Sequence, residues 1–195
     1  DATAFRDYLV AKGLNGSSVV RVFTTIKSIF NFSCSEYGLD IKNPFSGIYM
    51  NRDDGVQERL PIPNKTIITV QEECMKMNDD IRWLVGLISD TGLRLSEATG
   101  LEIDDIVLDI EIPHLIIQPH PWRRLKTIGS HRTIPLVGFS LWSAQQIKKG
   151  SICQYAFPRY IHNKCLSNSA SAAVNKCLKI FITKAVSYTH LTLPT

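Results

Sequence analysis

The chain has 195 residues, of which 44% are hydrophobic and 21% are charged, and its formal net charge is +4. This composition is typical of a globular protein with one or two cores, and no apolar run approaches the roughly 18 residues that a membrane span needs. The first residues have no signal-peptide pattern, and the five cysteines show no C-x-x-C spacing. We therefore expect a cytoplasmic protein with reduced thiols, no metal and no cofactor.

The first 60 residues are expected to form a small helical domain. Residues 1–12 have the pattern of a helix that Gly13 closes, and Asn15-Gly16-Ser17-Ser18 supplies a turn and the N-cap of a long second helix that ends at Gly38. A short turn or helix is expected to begin at residues 43–45. The apolar residues of the second helix recur at spacings of three and four and predict a core-facing stripe, which consists of Val19, Val22, Phe23, Ile26, Ile29, Phe30 and Phe32.

A polar stretch with Gly55, Pro61 and Pro63 predicts a linker, and we place a domain boundary near residue 60. The second domain is expected at 61–185. It would begin with helices at about 70–77, 80–89 and from 95 onward, and a later helix would follow Gly138. Between them, the segments IVLDIEIPHLIIQP, RRLKTIG and HRTIPL predict a small antiparallel sheet. The expected fold class is therefore mainly α with a small antiparallel β-sheet (α+β).

Charge is distributed unevenly along the chain. Residues 112–195 contain eleven Lys or Arg and no Asp or Glu, whereas residues 61–110 contain four basic and ten acidic residues. Such an asymmetry favours a surface that faces a polyanion, most simply nucleic acid. A basic face that only keeps the protein soluble is the alternative on charge alone.

The segment DTGLRLSEATGLEIDDI places Arg94 and Glu97 three residues apart, after a turn that opens a helix. Residues at this spacing share one helix face, so the carboxylate can fix the guanidinium. A fixed arginine is well suited to holding a phosphate. The alternative is an ordinary surface Arg–Glu pair, which is common and contributes little.

Two motifs in this sequence resemble those of tyrosine recombinases of the phage-integrase family. TGLRLSEATGL is similar to the region around the family's first catalytic arginine, and downstream Lys126-Thr127, followed by Arg132 in HRTIPL, is similar to its lysine-bearing hairpin. Upstream, IKSIFNFSCSEYGLDIKNPF looks like the end of the family's core-binding domain. The resemblance spans about residues 1–180 and implies a helical core-binding (SAM-like) domain followed by an integrase-type catalytic domain.

The resemblance implies site-specific recombination or integration of double-stranded DNA without a metal, through a 3′-phosphotyrosyl intermediate. Arg94 would neutralise the phosphoryl oxygens, Lys126 would protonate the leaving 5′-oxygen, and Glu97 would support Arg94. Lys126 as a simple phosphate-contacting cation is the alternative. Further recombinase subunits on DNA are the implied partners, and the nucleoid of a bacterial or phage-host cell is the implied location. Three more arginines are expected to contact DNA, namely Arg123, Arg124 and Arg132.

The sequence departs from the family pattern after residue 180. The family's H-x-L-R-H-like box and the tyrosine nucleophile that follows it are absent, and ITKAVSYTHLTLPT stands in their place. We expect a truncated fragment that begins inside a helix, lacks the nucleophile, is inactive alone, and carries a foreign tail at 186–195. A DNA-binding module without catalysis, or a helical protein-interaction domain, are the alternative functions.

Overall fold

The computed structural model describes residues 1–56 and 61–181, leaving aside the side chain of Ile128. The contacts within the chain divide it into two compact units, Asp1–Arg59 and Leu60–Thr195. The tail predicted at 186–195 lies outside the described residues.

The helices described in the first unit begin and end at the turn residues of the sequence. Asn15 begins the second helix by accepting a hydrogen bond from the Ser18 backbone N–H at 2.9 Å. Gly13 and Gly38 follow the two helices with φ angles of +82° and +60°, which glycine adopts at little cost. The helices are α1 (Ala2–Ala11) and α2 (Gly16–Glu36).

The core of the first unit is centred on Phe23, which is fully buried. Its ring lies 5.7 Å from that of Phe5 and 5.9 Å from that of Phe45. The predicted stripe faces the core only in the first half of α2. In the second half the prediction was wrong, because Ile29 and Phe32 are 62% and 66% exposed. An apolar groove of about 430 Å³ lies there, lined by Ile26, Ile29, Phe30, Ser33, Cys34, Leu39 and Ile41.

The second unit packs its helices around the apolar face of a central one, α4 (Asp80–Thr91). Leu84 and Leu87 of this helix are fully buried. Gly86 lets α6 (Gly138–Lys149) approach closely, because a Cβ at this position would collide with Ser143 and lie 3.0 Å from the Phe139 ring. The described helices of this unit are α3 (Asn64–Met77), α4 (Asp80–Thr91), α5 (Leu95–Thr99), α6 (Gly138–Lys149) and α7 (Ser167–Leu178).

The helix expected at 70–77 begins earlier, at Asn64. Its first three residues are polar and carry no apolar signal, whereas Ile67, three residues before Val70, continues the apolar pattern toward the start of the helix. Pro63 precedes the helix in an extended conformation with ψ of 139°, as the N-cap residue of a helix commonly does.

A three-stranded antiparallel sheet completes the second unit. Leu115 pairs with Ile134, and Ile117 pairs with Arg132. The segment RRLKTIG is not a strand as predicted; it belongs to the connection 118–131, which ends in a 3-10 turn. The prediction of a mainly helical protein with a small antiparallel sheet is confirmed. The strands, in spatial order, are β1 (Ile106–Val107), β2 (His114–Ile117) and β3 (Arg132–Pro135).

Two further observations concern the whole described part of the chain. None of its helices combines the length and the apolar character needed to cross a membrane. All five cysteines are free, and two of them, Cys74 and Cys177, are buried.

Candidate functional site

Arg94 lies between α4 and α5, where its backbone and its side chain bind the same carboxylate. Gly92 ends α4 with a φ angle of +62°, and Arg94 is then the N-cap residue of α5. Glu97 accepts a hydrogen bond from the Arg94 backbone N–H at 3.1 Å and another from Nη1 at 2.8 Å. The pairing that the spacing predicts is present, while 49% of the Arg94 side chain remains exposed.

A second arginine reaches the same carboxylate from the sheet. Because Arg132 pairs with the buried Ile117, it lies on the face of β3 that is turned toward the core. Its Nη2 donates to Oε2 of Glu97 at 2.8 Å, and its Nη1 lies 3.4 Å from Oε1. Glu97 is only 2% exposed, so one buried carboxylate orients two guanidinium groups.

Two opposing effects act on the pKa of Glu97. Burial disfavours the charged form and would raise the pKa. The hydrogen bonds from Arg132 and Arg94 favour the carboxylate, and together they hold the pKa below its usual range. Glu97 is therefore ionised at neutral pH, and with the two arginines it leaves a net positive charge beside the exposed part of Arg94.

Lys126 is carried by the connection 118–131 and is exposed. Its neighbour Thr127 places Oγ1 2.9 Å from the hydroxyl of Ser130, and that hydroxyl lies 3.4 Å from Nη1 of Arg94. The Ser130 carbonyl accepts a hydrogen bond from Nη1 of Arg132 at 2.9 Å. The structure thus links the turn that follows Lys126 to the two arginines.

The other two arginines predicted to contact DNA differ in their exposure to solvent. Arg124 is exposed. Arg123 is 3% exposed, and its Nη1 and Nη2 donate to the backbone carbonyls of Glu97 and Gln118 at 3.2 and 2.6 Å. Burial lowers the pKa of its guanidinium. The DNA contact predicted for Arg123 therefore does not fit its position, which is that of a brace between α5 and the connection 118–131.

Sequence reasoning missed a second buried carboxylate, Asp105, which precedes β1 and binds side chains at the start of the connection 118–131. Asp105 accepts hydrogen bonds from the side chain of Gln118 at 2.7 Å and from the Glu102 backbone N–H at 3.0 Å. His120 Nε2 lies 2.7 Å from it, and the His120 ring stacks on Trp122 at 4.8 Å. Gln118 and His120 are 13 and 15 residues away from Asp105 along the chain, so no local pattern pairs them with it.

Trp122 packs inside the second unit rather than pointing away from it. Its indole N–H donates to the Gly100 carbonyl at 3.0 Å, and its ring meets Tyr155 edge-on at 4.8 Å. In the sequence, Trp122 stands between Pro121 and Arg123, where either packing beneath the hairpin or contact with the DNA backbone could be expected. The structure favours packing, since the polar edge of the indole already has a backbone partner.

The donors gathered around Glu97 suit an anion. Of the three side-chain nitrogens of Arg94, only Nη1 has hydrogen-bond partners among residues 1–56 and 61–181. Nε and Nη2 therefore remain able to bind a phosphate bidentately. No group of three or more His, Cys, Asp or Glu side chains in the described residues is arranged to hold a metal ion. The cluster can therefore stabilise negative charge through fixed guanidinium groups.

Comparison of this chain with models of protein families, with curated proteins and with solved structures finds no match.

Proposed function

We propose that this chain is part of a site-specific tyrosine recombinase of the phage-integrase type, which binds duplex DNA and exchanges strands through a 3′-phosphotyrosyl intermediate. In this proposal the first unit is a helical, SAM-like core-binding domain, and the second is the integrase-type catalytic domain. Its partners are double-stranded DNA and further recombinase subunits bound to that DNA. The observation that carries the proposal is the half-exposed Arg94, whose guanidinium a buried carboxylate holds in place.

Arg94 acts on the phosphate under attack. Negative charge grows on the phosphoryl oxygens in the transition state, and a guanidinium that is already oriented needs no reorganisation to stabilise it. Glu97 supplies this orientation through hydrogen bonds to both the backbone and the side chain of Arg94. Removing one preorganised donor of this kind typically lowers kcat by about 10²- to 10³-fold.

Lys126 acts on the leaving group. Its ammonium is exposed on the connection 118–131 and can reach a DNA backbone on a flexible stem. As a general acid it donates a proton to the 5′-oxygen when the phosphodiester bond breaks. Thr127 and Ser130 support this role, since they connect the lysine-bearing turn to Arg94.

Basic residues at the surface supply affinity that is largely independent of sequence. Arg124 and Lys126 are exposed in the same connection, and no acidic residue occurs after Glu111. Cations that neutralise phosphates release counterions, so the affinity for DNA falls as salt rises. Bases and DNA shape then set the target sequence.

A salt-titrated binding assay with a fluorescein-labelled duplex tests DNA recognition. We expect Lys126→Ala to weaken binding and to reduce the slope of log K against log[salt] by about one phosphate contact. Lys76→Ala is the matched control, because Lys76 is an exposed lysine of α3 that pairs with Glu73. Equal effects of the two changes would contradict a specific role for Lys126.

Covalent trapping on a suicide duplex, read on a denaturing gel, tests the chemistry. We expect binding without an adduct, because the family's H-x-L-R-H-like box and the tyrosine after it are absent from the 195 residues. A phosphotyrosyl adduct would overturn this expectation and identify a tyrosine of this chain as the nucleophile.

A second candidate is a DNA-binding module without catalysis, which the exposed basic residues Arg124 and Lys126 support equally well. Adduct formation would eliminate it, whereas binding alone is compatible with both. The third candidate, a helical protein-interaction domain, requires that duplex binding be absent or insensitive to salt and to Lys126→Ala.

A further inference from the structure

Ser130 contacts both arginines that bind Glu97 and the residue that follows Lys126. Its carbonyl accepts from Arg132, its hydroxyl lies 3.4 Å from Nη1 of Arg94, and the same hydroxyl lies 2.9 Å from Oγ1 of Thr127. Ser130 is itself buried. A buried hydroxyl between a cation and a neighbouring hydroxyl is well placed to fix both.

The direction of the hydrogen bond between Arg94 and Ser130 follows from the groups involved. A guanidinium can only donate, so the Ser130 oxygen accepts from Arg94. Between Ser130 and Thr127 either hydroxyl can donate, because the Ser130 oxygen can accept two hydrogen bonds. In both cases the hydrogen bonds connect Arg94 through Ser130 to Thr127, which directly follows Lys126.

The position of Ser130 in the chain explains why such a link is needed. The connection 118–131 has no strand pairing of its own beyond an isolated bridge between His120 and Arg123. Lys126 lies beyond that bridge, in a bend without helix or strand. An arginine and a lysine that must act on one phosphate need fixed relative positions, because misplacement of about 1 Å can cost 10²-fold in rate.

We propose that Ser130 is a positioning residue whose hydroxyl ties the Lys126 turn to Arg94, so that the two cations engage one phosphodiester as a coupled pair. This inference rests on the proposed function, in which both cations bind DNA phosphate. Ser130 does not touch the DNA; it acts through Arg94 and Thr127.

A double-mutant cycle measures the coupling directly. The affinity for a fluorescein-labelled duplex is determined for Arg94→Ala, Lys126→Ala and the combination of both. In the unaltered background we expect the combined loss to be at least about threefold smaller than the product of the separate losses, as for residues that share one network. In a Ser130→Ala background the two losses should multiply.

Ser130→Ala isolates the hydroxyl, because the backbone carbonyl that binds Arg132 is retained. Ser143→Ala is the matched control: Ser143 is also a buried serine of the second unit, and its hydroxyl has no hydrogen-bond partner in the described residues. The coupling should survive in this background.

Thr127→Val provides a second route if Ser130→Ala does not fold. Thr127 is exposed, and valine preserves its shape while removing the hydroxyl that meets Ser130. Thr133→Val, at an exposed position of β3, is its control. Thr127→Val should abolish the coupling, and Thr133→Val should leave it intact.

The outcomes separate this inference from the proposed function. If Arg94→Ala and Lys126→Ala both weaken binding but their coupling is the same in all backgrounds, the role of Ser130 is refuted while the DNA site stands. If neither change weakens binding, the DNA site itself is refuted.

Discussion

Replacing Glu97 with glutamine removes one negative charge from the centre of the site and keeps the shape of the side chain. The carboxylate accepts three short hydrogen bonds, at 2.8, 2.8 and 3.1 Å, from Arg94 and Arg132. In Glu97→Gln the amide presents N–H donors to groups that can only donate. Both arginines then lose the buried carboxylate that is their counter-ion.

The expected cost follows from burial. Removing one partner of a buried ion pair costs about 3–5 kcal/mol. The side chains of Arg94 and Arg132 are 49% and 33% exposed, so water recovers part of this energy. We therefore expect the free energy of unfolding to fall by about 2–3 kcal/mol, which corresponds to a decrease of about 5–10 °C in Tm.

Thermal and urea unfolding measure this loss, and DNA affinity is followed in parallel. Glu73→Gln is the control, since Glu73 forms an exposed pair with Lys76 that should contribute less than about 1 kcal/mol. Duplex binding by Glu97→Gln should also weaken, because Arg94 is no longer oriented. If Glu97→Gln has the same Tm as the unaltered protein and binds DNA equally well, the shared carboxylate does not organise the site.

Three further predictions follow from the same contacts. The stability difference between the unaltered protein and Glu97→Gln should be full at pH 7 and shrink below about pH 4. The lowered pKa of Glu97 stabilises the fold at pH values above the unfolded-state pKa, and this gain is lost as pH falls through the folded-state pKa. Unfolding at a series of pH values measures the difference, and a constant difference would contradict the prediction. Gly86→Ala should lower the free energy of unfolding by about 1–3 kcal/mol, since the added Cβ collides with Ser143; a urea titration that leaves the midpoint unchanged would refute this packing. Arg123→Ala should destabilise the fold without changing the salt slope of DNA binding, whereas Arg124→Ala should reduce that slope by about one and leave Tm unchanged; the reverse pattern would place Arg123 on the DNA.

Local signals in the sequence predicted much of the helical structure. Asn15 accepts the hydrogen bond expected of an N-cap, and Gly92 ends α4 in the left-handed conformation. The spacing of Arg94 and Glu97 likewise predicted their contact, because three residues span about one helical turn. Each of these signals involves residues at most four apart, whose geometry the backbone alone determines.

Contacts between distant segments could not be predicted in the same way. Arg132 reaches Glu97 across 35 residues, and this depends on the register between β2 and β3. Arg123 looked like a surface cation, since arginine is rarely buried without partners. Its partners are the carbonyls of Glu97 and Gln118. Because every residue has a backbone carbonyl, the sequence does not indicate which of them accept a hydrogen bond from a side chain.

The apolar groove beside the second half of α2 affects how the protein must be handled. Ile29 and Ile41, which line this groove, are more than half exposed, and contact between such surfaces on two molecules releases water. Salting-out anions such as sulfate strengthen this self-association, whereas the same added ions screen contacts between basic side chains and phosphate. Added sulfate thus strengthens self-association while it weakens DNA binding, so a salt titration reports DNA contacts best when the protein is kept dilute and the salt is a chloride.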